Sequence, residues 1–96
     1  MTTYFVTRHA GAVEWARRRG ITAELVEHLN IARVEQGDEV IGTLPVQLAA
    51  EVCARGARYR HLTLELPREA RGATLTADDM DRFGATLEPY HVEKRK

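Results

Sequence analysis

Several residue types and patterns are scarce in this sequence, and their scarcity narrows what the chain can be. It has one cysteine, Cys53, so an internal disulfide and metal sites built on paired cysteines are excluded. No stretch approaches the roughly 18 consecutive apolar residues that a membrane span needs, and the N-terminus lacks a basic segment followed by a long apolar one. We therefore expect a soluble, cytoplasmic protein with no membrane partner.

An excess of charge of either sign is also missing. Fourteen Lys and Arg residues balance fourteen Asp and Glu residues. Attraction to nucleic acid must therefore come from local clusters of basic residues, and genomic DNA is not an expected partner. Only three prolines interrupt a chain that is 44% hydrophobic, which is typical of a globular protein. Ninety-six residues suffice for one domain, covering 1–96.

The hydrophobic pattern that is present predicts alternating strands and helices. β-Branched and aromatic runs predict strands, and apolar residues at helical spacing before a glycine predict helices. The segment 23–29 fits a helix or a strand, and a strand fits better after a helix that ends at Gly20. The predicted strands are 3–7, 23–29, 39–43 and 60–66; the predicted helices are 12–19, 46–55 and 76–83; residues 85–93 are an edge strand or an extended arm.

Alternating strands and helices imply a mainly parallel sheet with flanking helices, a small Rossmann-like α/β fold. Ligands of such sheets bind outside the carboxyl ends of the strands. Three polar turns should gather at that edge, namely 7–11, 42–45 and 67–72.

The first turn, Thr7-Arg8-His9-Ala10-Gly11, combines an arginine, a histidine and a glycine directly before a helix N-terminus. A helix N-terminus offers unpaired amides and partial positive charge, and arginine can hold phosphate oxygens through two parallel hydrogen bonds. Histidine exchanges protons near neutral pH. The turn therefore indicates a site for a phosphate-bearing ligand. A structural alternative stays open, in which Arg8 pairs with a surface carboxylate and His9 caps or packs locally.

The second turn, Gly42-Thr43-Leu44-Pro45, leads from a strand into a helix and would present its backbone to another phosphate or a base. An ordinary helix start at Pro45 is the structural alternative, which the residues favour modestly. From the third turn, Arg68 and Arg71 would close over an anionic ligand, although a plain exposed loop fits equally well.

Other polar and aromatic residues are interpreted as structural. Trp15, one turn into an amphipathic helix, is a core residue, and Cys53 lies on a buried helix face. His28, His61 and His91 show no metal-ligand spacing, so we expect no metal site and no cofactor.

Two segments together resemble a known family. They are Tyr4-Phe5-Val6-Thr7-Arg8-His9-x-Gly11-Ala12-x-x-Trp15 and Gly37-Asp38-x-Val40-Ile41-Gly42-Thr43-Leu44-Pro45, with Arg55-Gly56-Ala57 after them. This combination is similar to the Csx-sixteen family, small accessory proteins of type III CRISPR systems, and the likeness runs over nearly the whole chain. The family is regarded as a group of ring nucleases, which bind and cleave cyclic oligoadenylate second messengers and so shut off the antiviral response. The resemblance implies a Rossmann-like fold related to CARF sensor domains, and a homodimer with the cyclic ligand on its two-fold axis.

Under this resemblance the ligand is cyclic tetra-adenylate, cleaved without a metal through attack by its own 2′-hydroxyl to give linear products with a 2′,3′-cyclic phosphate. Arg8 would stabilise the charge that develops on phosphorus, and His9 would transfer a proton. Thr7, Ala10, Gly11, Gly42, Thr43, Leu44 and Pro45, with Arg68 and Arg71, would bind the ligand. Two alternatives stay open: a sensor or sponge that binds the ring without cutting it, and a CRISPR-associated protein-interaction subunit.

Overall fold

The computed structural model describes residues 1–68 and 74–95. Its elements follow one another as strand–helix pairs, with a short 3₁₀ helix after the second strand. In chain order they are β1 (Thr3–Val6), α1 (Ala10–Arg18), β2 (Glu24–Val26), the 3₁₀ helix (Ile31–Arg33), β3 (Glu39–Gly42), α2 (Val46–Ala54), β4 (Arg58–Thr63), α3 (Ala77–Arg82) and β5 (Thr86–Tyr90).

The strands form one sheet in the order β2-β1-β3-β4-β5. The first four strands are parallel, and β5 runs antiparallel to β4 at the edge. This is the mainly parallel α/β sheet that the sequence predicts, and it agrees with a small Rossmann-like fold. From β1 the chain passes to β2 on one side of the sheet, and from β3 it passes to β4 on the other side. The topological switch point therefore lies between β1 and β3, and such folds bind their ligands at this point.

Helices cover both faces of the sheet because β1 and β3 are apolar on both sides. Phe5 and Ile41 pack with Trp15 and with Met80, which places α1 and α3 on one face. Tyr4 and Val40 on the same strands face the other way, toward α2 and the segment of the 3₁₀ helix; the residues buried with them include Val34, Leu44, Ala49, Val52 and Tyr59.

The bounds of all four predicted strands differ from the observed ones. β1 and β3 each end one residue earlier than predicted, β2 is 24–26 instead of 23–29, and β4 is 58–63 instead of 60–66. β4 begins at Arg58 because the Arg58 amide donates to the Asp38 carbonyl at 2.9 Å and the strand pairs with β3 from Glu39 onward. β2 is shorter than predicted: Glu24, Leu25 and Glu27 are exposed at this edge of the sheet, and within β2 only Val26 packs against the core. In the last stretch Thr86–Tyr90 is the predicted edge strand, and residues 91–95 after it have no assigned secondary structure.

No helix among the described residues is long and apolar enough to cross a membrane.

Candidate functional site

The turn after β1 is held by its own backbone and by one side chain. The Thr7 amide donates to the Val26 carbonyl at 3.0 Å, and the Thr7 hydroxyl accepts from the His9 amide at 3.2 Å. Helix α1 then begins at Ala10 without a side-chain cap: His9 has the extended backbone usual for an N-cap residue, but its imidazole makes no capping bond. Arg8 and His9 are therefore left exposed at the carboxyl edge of the sheet.

Two helix N-termini meet the switch point. In the described part of the chain, the amides of Ala10 and Gly11 at the start of α1 donate no hydrogen bond, and neither do those of Val46 and Gln47 at the start of α2. Such amides carry the partial positive charge of the helix end and are the groups that bind anions. Because α1 and α2 lie on opposite faces, a ligand over β1 and β3 has one N-terminus on each side.

Arg8 adds a full positive charge to this edge. Among residues 1–68 and 74–95 no carboxylate pairs with its guanidinium, whereas the basic run after it is paired: Arg17 with Glu14, Arg18 with Asp78 at 2.6 Å and Arg19 with Asp81 at 2.8 Å. The run Arg17 to Arg19 thus ties α1 to itself and to α3. Arg8 is the arginine of this segment that remains for a ligand.

The two glycines Gly11 and Gly42 lie where neighbouring backbone leaves no room for a side chain. A Cβ on Gly11 would lie 2.0 Å from the Leu75 carbonyl oxygen, because the segment before α3 crosses the start of α1. A Cβ on the buried Gly42 would lie 3.0 Å from the Val6 carbonyl oxygen. Both glycines let neighbouring chain segments approach closely at the switch point.

The turn after β3 needs one correction to the sequence-based hypothesis. The Leu44 amide donates to the Tyr59 hydroxyl at 2.9 Å, so it is already occupied, and Leu44 itself is buried. Among the described residues, the amides of Val46 and Gln47, the two residues directly after Pro45, have no hydrogen-bond acceptor at this turn. Thr43 is exposed, and its hydroxyl donates to the Leu62 carbonyl at 3.4 Å.

Of the two arginines in the third turn, Arg68 is exposed. Arg71 lies outside the described residues.

Sequence reasoning missed a polar cluster beside the second turn. The Tyr59 hydroxyl contacts the Leu44 amide, the Gly42 carbonyl at 3.1 Å and Nδ1 of His61 at 2.6 Å. Burial raises the pKa of the Tyr59 hydroxyl, and the bond from the Leu44 amide opposes that shift in part. The alternation of Tyr59 and His61 along β4 was the available signal, but a strand predicted to begin at Arg60 leaves Tyr59 out.

A groove of about 940 Å³ lies mostly away from this edge. It runs between the outer face of α2 and the C-terminal segment 91–95, and it shares only Val46 and Gln47 with the switch point. Arg8 and His9 do not line this groove, and both are exposed among the described residues. Within residues 1–68 and 74–95, no group of three His, Cys, Asp or Glu side chains could hold a metal ion.

Comparison with known protein families shows which family the chain belongs to. The family model described as "Putative CRISPR-associated protein (Cas_VVA1548)" matches residues 4–93. The chain belongs to this CRISPR-associated family. Both turns of the candidate site therefore lie within the sequence that characterises the CRISPR-associated family. No curated protein and no solved structure matches the chain.

Proposed function

We propose that this CRISPR-associated protein is a ring nuclease of the Csx-sixteen kind. It would bind cyclic tetra-adenylate at the β1/β3 switch point and cleave it to linear products, which ends type III antiviral signalling. The observation that carries the proposal is the meeting of Arg8, His9 and two helix N-termini with free amides at one edge of the sheet. These are groups that hold phosphates and move protons.

The proposed reaction uses the ligand's own 2′-hydroxyl. The 2′-oxygen forms a bond to phosphorus, the bond from phosphorus to the 5′-oxygen breaks, and the products carry a 2′,3′-cyclic phosphate and a 5′-hydroxyl. Arg8 and the helix N-termini stabilise the negative charge that develops on the phosphoryl oxygens. His9 transfers a proton. With this charge supplied by the protein, the reaction needs no metal ion.

The openness of the site favours a homodimer. Cyclic tetra-adenylate has four phosphates in a symmetric ring, and one chain presents a single Arg8 turn with little enclosure. A two-fold pair presents two Arg8 turns and two copies of the α2 N-terminus, which matches the symmetry of the ring. It also doubles the local positive charge in a chain whose overall charge is zero.

Turnover of radiolabelled cyclic tetra-adenylate in EDTA tests the proposal. We expect multiple turnovers by the wild type and a loss of rate of about 100-fold or more in Arg8→Ala, because removal of one group that stabilises developing charge typically has this effect. Arg8→Lys should restore little, because lysine lacks the planar two-pronged geometry. Arg17→Ala, an exposed arginine paired with Glu14, is the matched control and should keep the wild-type rate.

The other outcomes assign the chain elsewhere. Tight binding without products, abolished in Arg8→Ala, would make it a sensor or sponge. If the protein neither binds nor cleaves cyclic tetra-adenylate, the proposal for this ligand is overturned. That result would favour a protein-interaction subunit.

A further inference from the structure

His61 lies on β4 two residues before the end of the strand at Thr63, in register with the ends of β1 and β3. In the sheet it is opposite Gly42, and Gly42 is opposite Val6, the residue before Thr7. Two strand spacings separate His61 from Val6, which is about 10 Å between backbones. A ring placed over β1 and β3 therefore passes close to the end of β4.

The contacts of the Tyr59 hydroxyl assign a tautomer to His61. The Gly42 carbonyl can only accept a hydrogen bond and the Leu44 amide can only donate one. We assign the single Tyr59 proton to the Gly42 carbonyl, so that the hydroxyl oxygen accepts from the Leu44 amide and from the imidazole. All three neighbours are then satisfied only if Nδ1 of His61 carries a proton and donates to Tyr59. In the neutral ring, this leaves the lone pair on Nε2.

Nε2 is available to a ligand. It has no hydrogen-bond partner among the described residues. It is also not enclosed, since the Thr63 hydroxyl is the one polar side-chain atom of those residues that is both enclosed and without a partner. Nε2 therefore reaches solvent, although His61 as a whole is half-buried. The titratable groups around the ring are Tyr59 on its own strand, and Tyr90 and Glu88 on β5; the Tyr90 ring meets it edge-on at 5.7 Å and Glu88 is its cross-strand neighbour.

We propose that Nε2 of His61, with Tyr59 as its positioning residue, accepts the proton of the attacking 2′-hydroxyl. This rests on the proposed function and divides its proton transfers between two imidazoles. As the 2′-oxygen bonds to phosphorus, its proton passes to His61. As the bond to the 5′-oxygen breaks, the electron pair stays on that oxygen, which takes a proton from the imidazolium of His9. Exchange with water then returns both rings to their starting states.

The first test needs no ligand. The ¹⁵N and ¹H chemical shifts of the His61 ring in the free protein report which nitrogen is protonated. We expect the Nδ1–H tautomer in the wild type and its loss in Tyr59→Phe, which removes the acceptor. An Nε2–H tautomer in the wild type would overturn the inference.

The second test uses His61→Asn, whose amide nitrogen retains a donor toward Tyr59 but has no basic nitrogen. We expect cleavage to slow by about 100-fold or more, the lower range for loss of general acid–base catalysis, with the dissociation constant for cyclic tetra-adenylate unchanged. His91→Asn, at the opposite end of β5, is the matched control and should keep the wild-type rate.

The outcomes separate this inference from the function on which it depends. Wild-type activity that persists in His61→Asn overturns the role of His61 and leaves the ring-nuclease proposal intact. A wild type that neither binds nor cleaves the ring overturns both. Loss of binding together with cleavage in a folded His61→Asn protein would make His61 a ligand-binding residue and contradict its role in proton transfer.

Discussion

Asp38 fixes the start of the chain to the turn before β3. It is buried, and its two oxygens accept from the Thr2 and Glu35 amides, each at 2.9 Å. The bonds from Glu35 and Thr2 hold the pKa of the Asp38 carboxyl below its ordinary value, against the opposing effect of burial. Its neighbour Gly37 is typical of a turn, but the hydrogen bond between Asp38 and Thr2 joins residues 36 positions apart and depends on the fold.

Asp38→Asn should lower the midpoint of urea unfolding at pH 7, because one amide oxygen cannot accept both bonds and its NH₂ group faces a donor. The folded-state pKa of Asp38 is lowered, so its stabilisation is complete above the unfolded value of about 3.9 and is lost as the pH falls through the lower folded value. The difference between wild type and variant should therefore shrink below about pH 4. Unfolding curves from pH 7 to pH 2.5 measure it.

Asp78→Asn is the matched control, since this aspartate is exposed and pairs with the exposed Arg18. It should change the midpoint little at any pH. A gap between wild type and Asp38→Asn that stays constant down to pH 2.5 would contradict the role given to the carboxylate.

For the helices and strands, local sequence patterns predict the order and type of each element but not the length of each strand. The run Thr76-Ala77-Asp78-Asp79 has the pattern of a capping box, and the structure contains one at the start of α3: the Thr76 hydroxyl accepts from the Asp79 amide at 3.1 Å, and the Asp79 carboxylate accepts from the Thr76 amide at 3.0 Å. The core position of Trp15 is also confirmed, and its indole donates to Asp81 at 3.0 Å. β4 could not be bounded in this way because its first residues are set by pairing with β3.

The crossing of α1 by the segment before α3 gives Gly11→Ala a counterintuitive sign. Alanine in place of glycine usually stabilises a helix by up to about 1 kcal/mol. Here the new Cβ meets the Leu75 carbonyl oxygen at 2.0 Å, so we expect a loss of about 1–3 kcal/mol, as for overpacked cores. Equilibrium unfolding in urea measures the change in the free energy of unfolding.

Ala10→Gly, at the preceding exposed position, reports the propensity effect without crowding and should cost no more than about 1 kcal/mol. If Gly11→Ala were instead to stabilise the protein, the close approach of Leu75 to α1 would be refuted.

For the whole molecule, the site follows from strand order. The sequence predicts the turns at 7–11 and 42–45 because each strand–turn–helix unit is local. That these turns are neighbours depends on β1 pairing with β3, and that His61 joins them depends on β3 pairing with β4. Local sequence patterns do not predict which strands pair. Sequence analysis therefore predicts Arg8 and His9 at the edge of the sheet but does not identify Tyr59 and His61 as part of the site.

The central claim is that the β1/β3 switch point is where the ligand binds, and backbone amide chemical shifts test it most directly. The ligand is cyclic tetra-adenylate with methylated 2′-hydroxyls, which cannot undergo the proposed cleavage, titrated into ¹⁵N-labelled protein. We expect the largest shift changes at the amides of Ala10, Gly11, Val46 and Gln47, and their reduction in Arg8→Ala. Changes in α2 and residues 91–95 without changes at Ala10 and Gly11, or no changes at all, would refute binding at the switch point.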